Sequence, residues 1–298
     1  MSKNIDLHIH TDVSDGELTP KKIIDRAYNN GVSIISITDH DTVDAYTEDL
    51  YEYACSKGIK IISGVEISSK TSKATMHILG YNIDINNYEF KEQLRLLRNS
   101  RHEYLHNVGK RLSELGYIVN IEKLDKIDAV TKAHIALDIV NNKANEELLL
   151  REFNHIPKKG EFIEAIMNEG CIAYVEKKTV TPKEASQLIK KAGGIVILAH
   201  PVVDERKDKF TVEEIMNIVK EAEIEGLEAN YISIENDMKI DECEKWNKIA
   251  KENNLMTTIG SDFHKKDGSH PDIGLINENI NLNDEEIERI INNLRLNI

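Results

Sequence analysis

Along the first eighty residues, short apolar runs alternate with amphipathic stretches and little chain lies between them. Ile5, Leu7 and Ile9 alternate with Asp6, His8 and His10. That pattern predicts a short strand carrying both histidines on one face, their Cα atoms roughly 6–7 Å apart. Thr19-Pro20 then reads as an N-cap followed by proline at the first helical position, opening a helix through Ala27 that stops near Gly31. Val32 to Thr38 is an apolar strand, Val43 to Ser56 a second helix ended by Gly58, Ile59 to Val65 a third strand and Met76 to Tyr81 a fourth. Strand–helix–strand units with short links predict a mainly parallel sheet or barrel covered by helices, with its site at the C-terminal ends of the strands.

From Ile83 to Cys171 the pattern turns polar, charged and helical. Leu94, Leu97, Leu105, Val108 and Leu112 mark an amphipathic helix ending near Gly116, and Ala133 to Val140 marks another. The strand–helix alternation then returns. A helix spans Pro182 to Ala192, a strand Ile195 to Ala199, a helix Val212 to Ala222 and a strand Gly226 to Ala229; a helix Asp241 to Asn253, a strand Met256 to Gly260 and a last helix Asp284 to Leu296 follow. The expected organisation is an α/β barrel domain over 1–82 and 172–298, interrupted by a helical subdomain over 83–171. About seven strand–helix units come close to a complete barrel.

Composition narrows the function. At 298 residues, 40% of them hydrophobic, the chain can bury a sizeable core. No apolar run reaches the roughly 20 residues that span a membrane, and Met1-Ser2-Lys3-Asn4 lacks the apolar core of a signal peptide, so a cytoplasmic location is expected. Cys55, Cys171 and Cys243 are scattered, which argues against a disulfide framework or a zinc knuckle. A net charge of −14 disfavours a protein that grips duplex DNA through a basic surface. Divalent cations in a site would weaken that objection by making a positive focus on an acidic protein.

Histidine or carboxylate stands at or beside the end of nearly every apolar strand: His8, His10 and Asp15, then His40, Glu66, His77, His200, Asp262 and His264. A barrel would bring these ends to one cleft. Nine imidazole and carboxylate donors exceed the three or four of a tetrahedral zinc site, so a cluster of two or three ions is expected. Nitrogen and oxygen donors without thiolate suit manganese, zinc or iron. Multimetal sites of this kind mainly hydrolyse: one ion lowers the pKa of a bound water to give hydroxide, and the others hold substrate oxygens and the leaving group. A literal HExxH, His102-Glu103-Tyr104-Leu105-His106, lies in the helical segment, where a solvated helix face is the plainer reading than a metalloprotease.

These residues carry a resemblance. Asp6-Leu7-His8-Ile9-His10 with Ser14-Asp15-Gly16, Thr38-Asp39-His40-Asp41, Gly64-Val65-Glu66, Leu198-Ala199-His200-Pro201 and Gly260-Ser261-Asp262-Phe263-His264 resemble the motifs of the PHP (polymerase and histidinol phosphatase) superfamily, in family order and across essentially the whole chain. His77-Ile78-Leu79-Gly80 and the helical insertion resemble its TrpH-like branch. The resemblance implies a distorted (β/α)7 barrel and a trinuclear phosphoesterase site, with manganese the first choice of metal. His8, His10, Glu66 and Asp262 would hold one ion, Glu66, His77 and His200 a second, and Asp15, His40 and His264 a third. It further implies a small phosphorylated substrate: nucleoside 3′,5′-bisphosphates losing their 3′-phosphate, or short RNA trimmed from the 5′ end. A histidinol-phosphate-like or other non-nucleotide phosphatase is the alternative within the superfamily, and a non-catalytic metal-binding module the alternative outside it. A monomer or small homo-oligomer is expected.

His134 in the insertion resembles a site-facing family position, and helix packing explains it equally well. Arg98 and Arg101, three apart on one helix, could clamp a phosphate or solvate a face. The chain departs from the family pattern where relatives carry arginine and it has Lys132. It departs again where they carry a basic residue after His-Pro and it has Val202-Val203. Lysine keeps the charge without the planar fork and valine loses both, so a nucleotide's second phosphate would be held less well, or by Lys177, Lys178 or Arg206 instead.

Overall fold

The computed structural model describes residues 4–127, 130–176, 179–235, 238–276 and 282–294. The elements run in the order β1 (Ile5–Ile9), α1 (Pro20–Asn29), β2 (Ile34–Ile37), α2 (Glu48–Ser56), β3 (Lys60–Lys70), β4 (Thr75–Tyr81), α3 (Tyr88–Glu114), α4 (Ile121–Leu124), α5 (Lys132–Asn141), α6 (Glu146–Phe153) and α7 (Lys159–Phe162). After these come α8 (Pro182–Lys191), β5 (Ile195–Leu198), α9 (Pro201–Arg206), α10 (Val212–Glu221), β6 (Gly226–Asn230), β7 (Ile232–Glu235), β8 (Met238–Asp241), α11 (Cys243–Glu252), β9 (Met256–Ile259) and α12 (Asp284–Asn293). The last helix was expected to reach Leu296, which lies outside the described residues. Two compact units result, Met1–Leu94 with Val180–Ile298 and Arg95–Thr179.

The first unit is built on a seven-stranded sheet in the order β1-β2-β3-β4-β5-β6-β9. The pairs β1–β2, β2–β3, β5–β6 and β6–β9 are parallel. The fourth strand breaks the expected parallel pattern: β4 is antiparallel to both β3 and β5. The reason is local, because only four residues separate β3 from β4, enough for a hairpin and far too few for a crossover helix. The sheet curls so that its two edges meet. His10 N donates to Phe263 O at 2.9 Å and Asp262 N to His8 O at 2.8 Å, bringing the segment after β9 against β1.

β1, β2 and β5 are buried along their whole length. The alternation of β1 therefore separates one buried side from another rather than core from solvent. Ile5 and Leu7 join an apolar core with Ile34, Leu79, Tyr81, Ile195, Ile197 and the α12 residues Ile287, Ile290 and Ile291, while Asp6, His8 and His10 lie on the opposite side of the strand, also without exposure. Helices start where side-chain caps dictate: Thr19, Thr47, Thr181 and Thr211 each accept a backbone N–H of the first turn. The Thr47 cap sets the start of α2 at Glu48, five residues later than apolar periodicity suggested. The second unit packs its own core, with Tyr104, Leu105, Val108 and Leu112 of α3 against Ile135 and Ile139 of α5, Leu149 of α6 and Phe162 of α7.

Candidate metal centre

Six of the seven strands of the curled sheet, all but β6, hand a donor to the same end. His8 comes from β1 and His10 directly follows it, Glu66 comes from within β3, and His77 from β4. His40 follows β2, His200 follows β5, and Asp262 and His264 follow β9. His8 and His10 have no exposed surface, and Glu66 is 1% exposed. The structure brings all nine residues expected from the strand ends into one cluster.

Three donor groups overlap within it. In the first, His8 Nε2 and His10 Nε2 face each other at 3.1 Å. Glu66 Oε2 lies 3.5 and 3.1 Å from these atoms and Asp262 Oδ1 3.3 and 3.2 Å. Donors about 2.0–2.2 Å from a common ion are separated by about 3 to 3.5 Å, so these four are spaced as the ligands of one cation. The second group gathers on the other oxygen of Glu66: His77 Nδ1 is 3.0 Å and His200 Nε2 3.4 Å from Oε1. His40 Nδ1 reaches Oε2 at 3.1 Å. The third surrounds Asp15, with His264 Nε2 at 3.3 Å, His10 Nδ1 at 3.5 Å and His40 Nε2 at 3.7 Å. His10 and His40 thus present one ring nitrogen to each of two groups.

Several of these atoms are buried without any hydrogen-bond partner: His10 Nδ1, His40 Nδ1 and Glu66 Oε1. Unsatisfied polar atoms at such density are costly in a core unless something binds them. Imidazole and carboxylate lone pairs aimed at shared points are what divalent cations satisfy, so the donor set fits a polynuclear centre. The electrostatics agree. Burial opposes ionisation of Glu66 and Asp262, but the surrounding imidazoles outweigh it and hold both carboxyls well below their usual range. Burial likewise opposes protonation of His10, and the facing Asp262 and Glu66 carboxylates overcome it, raising its pKa to about 10. A bound cation would replace that proton.

Other buried residues fix the donors in place. Glu228, on β6, receives His8 Nδ1–H at 3.0 and 3.1 Å and the backbone N–H of His200 at 2.9 Å. The first contact selects the His8 tautomer whose Nε2 lone pair faces His10. His264 Nδ1 donates to Asp262 O at 2.9 Å, leaving its Nε2 for Asp15. Asp39 accepts from Thr11 N, Thr11 Oγ1 and Ser14 Oγ at 2.7, 2.7 and 2.6 Å and so holds the turn that carries Asp15. Asp262 (φ 55°) and His200 (φ 24°) both have left-handed backbone, a conformation uncommon outside glycine that the surrounding contacts must enforce. Glu228 and His270 were not among the residues read from the sequence, and Asp39 was read only as part of the motif around His40. The available signal for Glu228 was an acidic residue inside the buried strand Gly226–Asn230.

The expected substrate residues lie in the helical unit. Arg98 and Arg101 are on α3, and Arg101 is buried. Lys132 opens α5 and donates to Asn168 Oδ1 at 3.1 Å. His134 closes a capping box, its Nδ1 accepting from Thr131 N at 3.1 Å. Lys177 and Lys178 lie outside the described residues. In the barrel unit, Arg206 is engaged by Glu235 at 3.0 and 3.3 Å and by Glu242 at 3.2 Å. The HExxH histidines both turn to Asp125, His102 at 2.8 Å and His106 at 3.3 Å. Among the described residues no helix is long and apolar enough to cross a membrane.

A cluster of nitrogen and oxygen donors at the strand ends of a curled α/β sheet, with Glu66 shared between two donor groups, defines a metal-dependent phosphoesterase. The chain belongs to the PHP domain family, whose model matches residues 6–197. It is 30% identical over 268 residues to a 5′-3′ exoribonuclease of Haemophilus influenzae, covering 89% of this chain and 91% of that protein. It is 27% identical over 279 residues to a 3′,5′-nucleoside bisphosphate phosphatase of Chromobacterium violaceum, covering 91% and 90%. A solved structure described as an amidohydrolase from Chromobacterium violaceum with bound sulfate superposes with a TM-score of 0.71 at 25% identity, covering 96% of each chain.

Proposed function

We propose that this phosphoesterase acts on nucleotides, removing the 3′-phosphate of nucleoside 3′,5′-bisphosphates or trimming short RNA from its 5′ end. The observation that carries the reading is the sharing of Glu66, whose two oxygens face separate donor groups and so allow adjacent ions to meet one phosphate. The names of relatives aligned over about 90% of both chains supply the substrate class. The residues assigned to the ions are His8, His10, Glu66 and Asp262 for one, Glu66, His77 and His200 for a second, and Asp15, His40 and His264 for a third. Bound there, divalent ions, manganese first, would supply Lewis acidity and a water of lowered pKa.

The chain's own part is to hold these donors dry and fixed, with Glu228 and Asp39 locking their orientation. We take the helical segment as an insertion in the barrel that supplies substrate contacts from Arg98, Arg101, Lys132 and His134, with Lys177 as a further candidate. The test is phosphate release from adenosine 3′,5′-bisphosphate by Mn²⁺-loaded protein, with AMP and a short 5′-phosphorylated RNA as parallel substrates. Release from the bisphosphate leaving AMP, or mononucleotide release from the RNA, is expected, and Asp262→Ala should abolish either. Turnover of non-nucleotide monoesters alone would overturn the nucleotide assignment.

A further inference from the structure

One imidazole at the cluster is not used by the nine donors. His270 lies in the segment after β9, six residues beyond His264, and its side chain is 23% exposed. Its Nδ1 is buried, makes no hydrogen bond, and stands 3.5 Å from Asp262 Oδ2. Asp262 is used on both sides: Oδ1 faces His8 and His10, whereas Oδ2 turns to His270 and to Tyr231 Oη at 3.4 Å. The His270 ring stands 5.0 Å from that of His264, tilted by 31°. One donor atom from each of Asp262, His264 and His270 falls within 4.8 Å of the others.

The segment that places His270 is fastened on its far side. Arg26 pairs with Asp272 through two contacts of 2.5 and 2.6 Å. Asn30 Nδ2 donates to Ile273 O at 2.8 Å, and Gly274 N to the buried Asp6 Oδ2 at 2.8 Å. Gly274 has φ 70°, and a Cβ there would stand 2.1 Å from Val32 Cγ2, so the chain approaches α1 and β2 as closely as glycine alone permits. A histidine retained for packing or hydrogen bonding would show its ring nitrogen paired. Here a firmly anchored loop delivers a buried ring nitrogen with no hydrogen-bond partner to a carboxylate already in the metal centre.

We propose that His270 is a further metal donor at the rim of the centre, adding its ring nitrogen, with Asp262, to the cation that His264 meets through Nε2. Two imidazoles and a carboxylate suit manganese, zinc or iron over magnesium. The inference rests on the cluster being a metal centre, and the experiment separates the two. Metal-free parent protein, His270→Ala and His270→Asn are titrated with Mn²⁺ by calorimetry, and the loaded proteins are compared by electron spin-echo envelope modulation, which reports imidazole nitrogens coupled to Mn²⁺. His270→Ala is expected to lose one such coupling and to bind its weakest ion about tenfold or more less tightly. His270→Asn keeps an N–H toward Asp262 but offers no imidazole ligand, and is expected to behave as His270→Ala does. An unchanged nitrogen signature and affinity in His270→Ala would overturn the proposal. So would full recovery in His270→Asn, which would make the residue a hydrogen-bonding support for Asp262. Absence of Mn²⁺ binding by the parent would overturn the metal-centre reading itself.

Discussion

Glu228 shows how a residue that touches no substrate can decide what its neighbour does. Its carboxylate fixes the Nδ1–H tautomer of His8, and with it the direction of the Nε2 lone pair. Glu228→Gln keeps the shape but replaces a charged acceptor with an amide, so Mn²⁺ affinity should fall about 10- to 100-fold in calorimetric titration while the circular dichroism spectrum stays unchanged. Asp204, one turn into α9, offers a pH-dependent test. Burial, opposed by His200 and reinforced by Asp208 and Glu66, raises its pKa from 3.8 to about 8. Between those values the folded chain holds a proton that the unfolded chain has released, so native stability declines as pH rises through the window. Asp204→Asn in metal-free protein should therefore melt with the parent near pH 4 and above it at pH 9. A constant difference across that range would mean that Asp204 is ionised throughout.

At the scale of elements, close approach dominates. Gly260 ends the extension of β9 against β1, and a Cβ there would stand 2.2 Å from His8 Cβ and 2.3 Å from Glu228 Oε1. Gly260→Ala should destabilise the fold by about 1–3 kcal/mol, read as a lowered urea midpoint, and should weaken Mn²⁺ binding because the displaced side chains are a donor and its support. The strands were legible because each apolar run is short and bounded, and the donors because polar residues at buried strand ends stand out against Ile, Val and Leu. The antiparallel placement of β4 was written only in the short link between Lys70 and Thr75. The β7–β8 hairpin, Ile232–Glu235 with Met238–Asp241, escaped the sequence reading because its residues continue the apolar run of β6 without a clear break. Glu228 was hidden for a different reason: its role depends on His8, 220 residues away, which no local pattern records.

For the whole molecule, the centre couples metal to stability. The cluster places Glu66, Asp262 and several imidazoles inside the core, and cations that bind only the folded chain stabilise it by mass action, about 2.7 kcal/mol for one site at a hundredfold excess over its Kd. Chelation should lower the melting temperature, and Mn²⁺ should restore it in a concentration-dependent way; a melt indifferent to both would show that the donors satisfy one another. The sheet's closure has a consequence for how the protein is made. Asp6 on the first strand accepts from Ser261, 255 residues further along the chain, and His8 meets Asp262 only there. Synthesis must pass Asp262 before the first donors find the last. Until then the β1 edge stays open and the group of His8, His10, Glu66 and Asp262 lacks its last carboxylate, so an ion can be held there as in the folded protein only after the chain through Asp262 has been made.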